Sequence, residues 1–225
     1  MGKYFKYAIG EILLVVLGIL IALQINNWNE ERKQRQKEVI YLTELKKGLE
    51  SDLRGEFEPA KSAYSGILQY HDSIELYFSD QKTFTIDSLS KYFRFSLSPE
   101  WDFVFNMSPY ENINSAGIDI ITNDSLRSKI ASLYSYSYPN IREVNQNYIR
   151  YYDQQITPLV YAKVILSKTS YTAEELDFLS NSIEVRNRLN HLRRRRYFLL
   201  KQLLIPVQQT IEALIVEIDS ELEQL

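Results

Sequence analysis

Arg193-Arg194-Arg195-Arg196 is the densest run of charge in the sequence, and paired guanidinium N–H donors suit phosphate or carboxylate oxygens. On a helix, residues step by about 100°, so four consecutive arginines point all round the axis and cannot form one stripe. The plainer reading is that they face acidic neighbours on other helices. The alternative is contact with an anionic group such as a lipid or lipopolysaccharide headgroup. The chain carries a formal net charge of −3, from 26 basic and 29 acidic residues. That balance offers no electrostatic footprint for nucleic acid, and no nucleic-acid partner is expected.

Other chemistry-bearing residues are few. Cysteine is absent, which removes disulfides, thiolate metal sites and a cysteine nucleophile together. His71 and His191 are the two histidines; His71 lies on an apolar helical stripe, where a core or boundary role outweighs metal ligation. Of the 17 tyrosines, Tyr134, Tyr136, Tyr138, Tyr148, Tyr151 and Tyr152 cluster. Such a cluster suits a carbohydrate or protein surface, but a core with hydroxyls reaching water is the commoner arrangement. The pairs Glu30/Glu31 and Glu174/Glu175 read as a solvated stalk and a helix N-terminus. No G-x-S-x-G, P-loop or H-E-x-x-H is present. An acid–base pair could be chosen from the 29 acids almost at will, so none is selected. The expectation is a chain with no cofactor, no metal and no catalytic residue.

The elements that would position these residues begin with Ile12 to Leu23, an unbroken apolar run. Its flanks extend it to Tyr4–Ile25, roughly 33 Å of helix at about 1.5 Å per residue, enough to span a bilayer. Tyr4, Phe5, Tyr7 and Trp28 at the two ends suit the headgroup region. A buried core helix is rarely apolar all round, and Ala22-Leu23-Gln24 is a poor signal-peptidase site, so an uncleaved anchor is expected. Glu11, Gly18 and Ala22 share one face of this helix, and Gly18-x-x-x-Ala22 lets a second helix approach closely. Glu11 either contributes to that face or reaches the membrane interface. The anchor therefore suggests membrane lipid plus a protein partner, or self-association through this face. Lys3 and Lys6 precede the span, while Arg32, Lys33, Arg35 and Lys37 follow it; the basic count leans toward a cytoplasmic C-terminal side, although long domains translocate largely regardless of charge.

Behind the anchor the pattern is mostly helical, with residues 79–107 less regular and no strand pattern of comparable strength, so the fold expected is all-α. Residues 1–28 read as the anchor, 29–57 as a stalk continuous with it, and 58–225 as an antiparallel helical bundle. Leu42, Leu45, Leu49 and Leu53 form a stripe, and Pro59 kinks or restarts the helix. Ser88–Leu97 reads as a short helix and Ser98–Met107 as a loop with aromatics to bury. Ser108 with Glu111, and Thr172 with Glu175, have capping-box spacing; Gly117 and Asn123 or Asp124 mark a stop and a start. Ser125–Tyr134 and a segment from Ile141 to Leu159, bent at Pro158, read as two further helices. Val185 to Leu222 is one long amphipathic helix with a kink allowed at Pro206, its three- and four-residue steps broken by one seven-residue interval across Arg196.

Gly2 to Glu31, GKYFKYAIGEILLVVLGILIALQINNWNEE, resembles the opening block of an uncharacterised family of single-pass membrane proteins from Gram-negative bacteria. Ser108 to Tyr134, SPYENINSAGIDIITNDSLRSKIASLY, resembles that family's aromatic-led short helix followed by Ser-x-Gly, an aliphatic pair, Asn and Leu-Arg. Members often carry a longer basic stretch before the block than the Met1-Gly2-Lys3 found here. The resemblance implies a domain of unknown function, seated in the inner membrane with the soluble part in the periplasm. It brings no activity with it. The functions that fit are a membrane-anchored scaffold or interaction module, a ligand-sensing extracytoplasmic domain, and a carboxylate-dependent membrane-bound hydrolase.

Overall fold

The computed structural model describes residues 2–224, with side chains from residue 11 onward; the aromatic flank Tyr4, Phe5 and Tyr7 lies outside the described side chains. Among the described residues every regular element is helical. Helix α1 (Gly2–Asp52) runs into α2 (Glu58–Phe78), α5 (Asp124–Ser132) into α6 (Tyr138–Tyr151) and α7 (Thr157–Tyr161), and α9 (Ile183–Phe198) into α10 (Ile205–Leu222). The junctions are π-helical turns at Leu53–Phe57, Leu133–Ser137, Tyr152–Ile156 and Leu199–Leu204.

Each π turn ends two residues before a proline: Pro59, Pro139, Pro158 and Pro206. Proline has no N–H for the carbonyl four residues back, and its ring collides with that carbonyl. Widening the preceding turn lets the neighbouring N–H reach one residue further, as Glu58 does to Leu53, Tyr138 to Leu133, Thr157 to Tyr152 and Ile205 to Leu200. The prolines thus leave three unbroken rods rather than hinges or breaks. The helix expected to end at Tyr134 and the one expected from Ile141 are one rod for this reason. The extra residue also turns two consecutive side chains inward, Leu133 with Tyr134 and Leu199 with Leu200.

The third rod runs antiparallel to the first, with Lys46 meeting Asp219, Asp72 meeting Arg193 and Glu75 meeting Arg186. It runs antiparallel to the second as well, through Lys129 with Glu217 and Arg195 with Asn147. Rods one and two are therefore parallel, and residues 79–123 return between them. That return comprises α3 (Ile86–Ser96), an extended strap over 97–107, α4 (Ser108–Ala116) and a 3-10 turn at Ile118–Ile120. In the strap Phe103 and Phe105 are buried while Asp102, Val104 and Asn106 are exposed, the two-residue alternation of extended chain. A loop and α8 (Ala173–Asn181) link rods two and three.

The capping signals divide. Thr172 and Glu175 close the expected box, Asn123 caps α5, and Gly117, at φ 101°, ends α4. Ser108 does not cap: α4 starts at Ser108 itself, and the Glu111 N–H bonds the Met107 carbonyl instead. The stalk division also shifts. Among the described side chains of α1 burial begins at Glu38, and Leu42, Leu45 and Leu49 sit in the core against α4 and α10, so the bare length beyond Trp28 ends near residue 37.

Candidate functional site

The apolar side chains form two clusters. The one nearer the N-terminal segment contains Leu42, Leu45, Leu49, Phe57, Phe103, Phe105, Tyr138 and Leu199. The farther one contains Ile74, Phe93, Leu97, Tyr152, Leu189 and Leu192. On every rod the boundary between them is polar. His71 lies between Tyr64 and Ile74, Arg196 between Leu192 and Leu199, and Asn145 between Ile141 and Tyr152.

Arg196 is the centre of this layer, fully buried against an equally buried Glu100 side chain at 3.0 Å. Its Nε donates to Glu100 Oε1, Nη1 to the Ser96 carbonyl at 2.7 Å, and Nη2 to the Ser98 carbonyl at 2.6 Å. Nη1 also lies 3.2 Å from His71 Nε2. The second Glu100 oxygen accepts from Tyr64 Oη at 3.2 Å, and Tyr64 in turn accepts the Trp101 N–H. Burial, with Arg196 and Arg193 nearby, holds the His71 imidazole well below its ordinary range, so it is neutral. Burial and the Glu100 charge push the Tyr64 phenol upward.

Below this layer the first rod continues to hold the returning segment by its polar side chains. Glu56 accepts from Trp101 Nε1 at 3.0 Å. Asp52 accepts from the Asn106 N–H at 2.9 Å and from Tyr138 Oη at 2.8 Å, while burial pushes its carboxyl upward. At the base Glu38, fully buried, accepts from the Thr122 N–H at 2.7 Å and hydroxyl at 3.0 Å, with Arg35 beside it. An open groove of about 550 Å³ is lined by Asp52, Glu56, Asn106 and Glu111. Each Asp52 oxygen accepts one hydrogen bond, which ties this carboxylate to the strap and to the second rod. Among the described residues no three histidine, aspartate or glutamate side chains gather into a metal-binding set.

The other arginines of the quartet go separate ways, as their spacing requires. Arg193 donates through Nε and Nη2 to Asp72 Oδ1 at 2.9 and 2.7 Å. Arg195 lies over the rings of Tyr148 and Tyr151 at 4.7 and 4.3 Å and donates to His191. Arg194 is exposed beside Asn187 and Asn190. The Arg193–Asp72 pair lies roughly 70 Å along the first rod from Ile25, at about 1.5 Å per residue. An anionic group bound there therefore stands far from the segment read as the anchor. Glu11, Gly18 and Ala22 are exposed, and a Cβ on Gly18 would meet nothing within 4 Å.

The sequence offered Arg196 only as one of four arginines; the signal that could have singled it out is the seven-residue interval in its stripe, where Arg196 occupies the inward phase that a leucine holds elsewhere. Nothing marked Glu100, Asp52 or Glu38, because an acid on an extended loop or a charged helix looks the same buried or exposed.

The N-terminal helix is long and apolar enough to cross a membrane, and its apolar window is wholly exposed. Ile183–Leu222 is also long and apolar enough, but it is the packed third rod. No curated protein and no solved structure matches the chain. The model of the Family of unknown function (DUF6090) matches residues 11–169, from the exposed helix through the loop after α7, and this chain belongs to that family.

Proposed function

We propose that the protein is a membrane-anchored helical scaffold that presents an interaction surface at a fixed height above the bilayer. The observation that carries this reading is the unbroken α-helix from Gly2 to Asp52, which is bare and apolar from Ile12 to Leu23 and packed into the bundle core from Leu42 onward. A helix shared in this way transmits position and tilt directly, whereas a flexible tether would suit a free-moving enzyme. The first rod continues to Phe78, so the far end of the bundle stands roughly 80 Å from Ile25 at about 1.5 Å per residue. The anchor sits in the inner membrane of a Gram-negative cell with the bundle in the periplasm. Its partner is a protein, or a second copy met through the face of Glu11, Gly18 and Ala22.

The absence of native cysteine makes the test clean. A C-terminal reporter active in the periplasm, and cross-linking of Gly18→Cys or Ala22→Cys in the full-length protein in membranes, are the expected results. A cytoplasmic C-terminus overturns the topology. Failure of both cysteine variants to cross-link, together with no co-purifying protein, overturns the scaffold reading.

A second reading, a sensing domain, is favoured by one observation. Glu38, Asp52, Glu56 and Tyr64 of the membrane-proximal rod all bond the single segment 100–122, so a shift of the rod is felt along that segment.

A further inference from the structure

The polar layer between the two apolar clusters is built around a contact with only one chemical solution. A guanidinium has no lone pair to offer and keeps its proton at every accessible pH. The 3.2 Å approach of Arg196 Nη1 to His71 Nε2 therefore requires the imidazole to accept, with its own proton on Nδ1. We propose that His71, Arg196 and Glu100 form an acid-sensitive latch that holds the seam between the two halves of the bundle closed.

Proton uptake at Nε2 from solvent removes the lone pair that Arg196 uses. It also places an imidazolium 3.2 Å from a buried guanidinium. The charged groups facing His71 cannot absorb this. From α9 come Arg196 and Arg193, both cations; the strap supplies Glu100, already bonded to Arg196 and Tyr64. The end of α3 presents the Ser96 carbonyl, already taken by Arg196. The second rod brings Tyr148 and Tyr152, whose phenols lie within range of the Glu100 charge and are uncharged. On α2 itself Tyr64 bonds Glu100, and Asp72 is held by Arg193. The closed layer, with His71 and Arg196 both buried, thus goes from neutral to one net positive charge in a low-dielectric interior.

Arg196 holds the strap through the Ser96 and Ser98 carbonyls and Glu100, so the strap end from Ser96 to Glu100 leaves α9, and the adjoining Trp101, bonded to Glu56, Tyr64 and Asn145, loses cover. In the open form His71 is a solvated imidazole of ordinary pKa, about 6.5. The closed form binds fewer protons than the open one, so the open population rises as pH falls below about 6.5, by up to tenfold per unit. The lower cluster, pinned by Asp52 and Glu38, stays in place. Acid would therefore loosen the far half of the bundle while the half nearer the apolar helix keeps its packing.

The sequence has two tryptophans, so Trp28→Phe leaves Trp101 as the only indole. Full-length protein in detergent or nanodiscs is followed from pH 7.5 to 5.0 by Trp101 emission and by hydrogen exchange over residues 96–107. The expected result is a red shift and at least tenfold faster exchange of the Trp101 amide after correction for intrinsic rates. His71→Gln, which accepts through its amide oxygen but cannot be protonated, shows neither change. An unaltered strap in the parent across this range overturns the latch, as does the same acid response in His71→Gln. Should His71→Gln fail to fold, the ring-carbon shift of His71 in the parent serves instead. Titration near 6.5 with Trp101 emission unshifted also overturns it.

Discussion

Arg196 and Glu100, 96 positions apart in sequence, meet at 3.0 Å with neither side chain exposed, and they join the strap to the third rod. Replacing either partner alone leaves the other as an uncompensated buried charge. Arg196→Met and Glu100→Leu are each expected to lower stability by about 3–5 kcal/mol. The double variant recovers a large part of that loss. Urea unfolding of the detergent-solubilised protein, with all three variants side by side, reads this out. Equal and additive losses would show that the pair is not coupled.

Glu38 is the first buried side chain on the rod that leaves the apolar segment, and it satisfies both the N–H and the hydroxyl of Thr122. Glu38→Ala is expected to cost about 1–3 kcal/mol, because the Thr122 N–H is left without its acceptor. Glu38→Gln retains an acceptor and costs less. Faster exchange of the Thr122 amide in the alanine variant, and not in the glutamine one, is the specific signature.

Gly48 and Gly66 both lie inside helices, yet opposite outcomes are expected on substitution. A Cβ on Gly48 would stand 2.8 Å from Pro109 Cγ, a rigid ring atom, so α1 and α4 must separate. Gly48→Ala therefore loses about 1–3 kcal/mol to overpacking, more than the ~1 kcal/mol that alanine gains in helix propensity. A Cβ on Gly66 meets nothing within 4 Å. Gly66→Ala gains the ~1 kcal/mol without the clash. Thermal midpoints moving in opposite directions would check both.

Glu175 accepts the Thr172 N–H and pairs with Lys168, which hold its carboxyl down at about 2. Its folded-state pKa lies below the unfolded value, so its contribution to stability is complete above about 4.5 and disappears as pH falls from there toward 2. The stability gap between the parent and Glu175→Gln should be constant from pH 7 to 5 and narrow below 4.5. A gap that stays constant to pH 3 would contradict this assignment.

Helix content, the apolar N-terminal span, the Thr172–Glu175 box, the Asn123 cap and the Gly117 stop were all legible in the sequence. They depend on contacts within one turn or on a local hydrophobic period, which a linear pattern records directly. Two matters were decided only in three dimensions. The prolines at 59, 158 and 206 read as kinks or restarts, but a π turn before each, and before Pro139, keeps the rods whole, because the widened turn gives the preceding N–H an acceptor one residue further back. The layer of His71, Glu100, Asn145 and Arg196 draws on all three rods and the strap, and whether an acid or a histidine is buried depends on what the antiparallel register brings opposite it. A residue's own neighbours say little about a partner 96 positions away. The sequence alone thus determined which segments are helices and which faces are apolar, while the tertiary structure decided where those faces stop being apolar and what charge fills the gap.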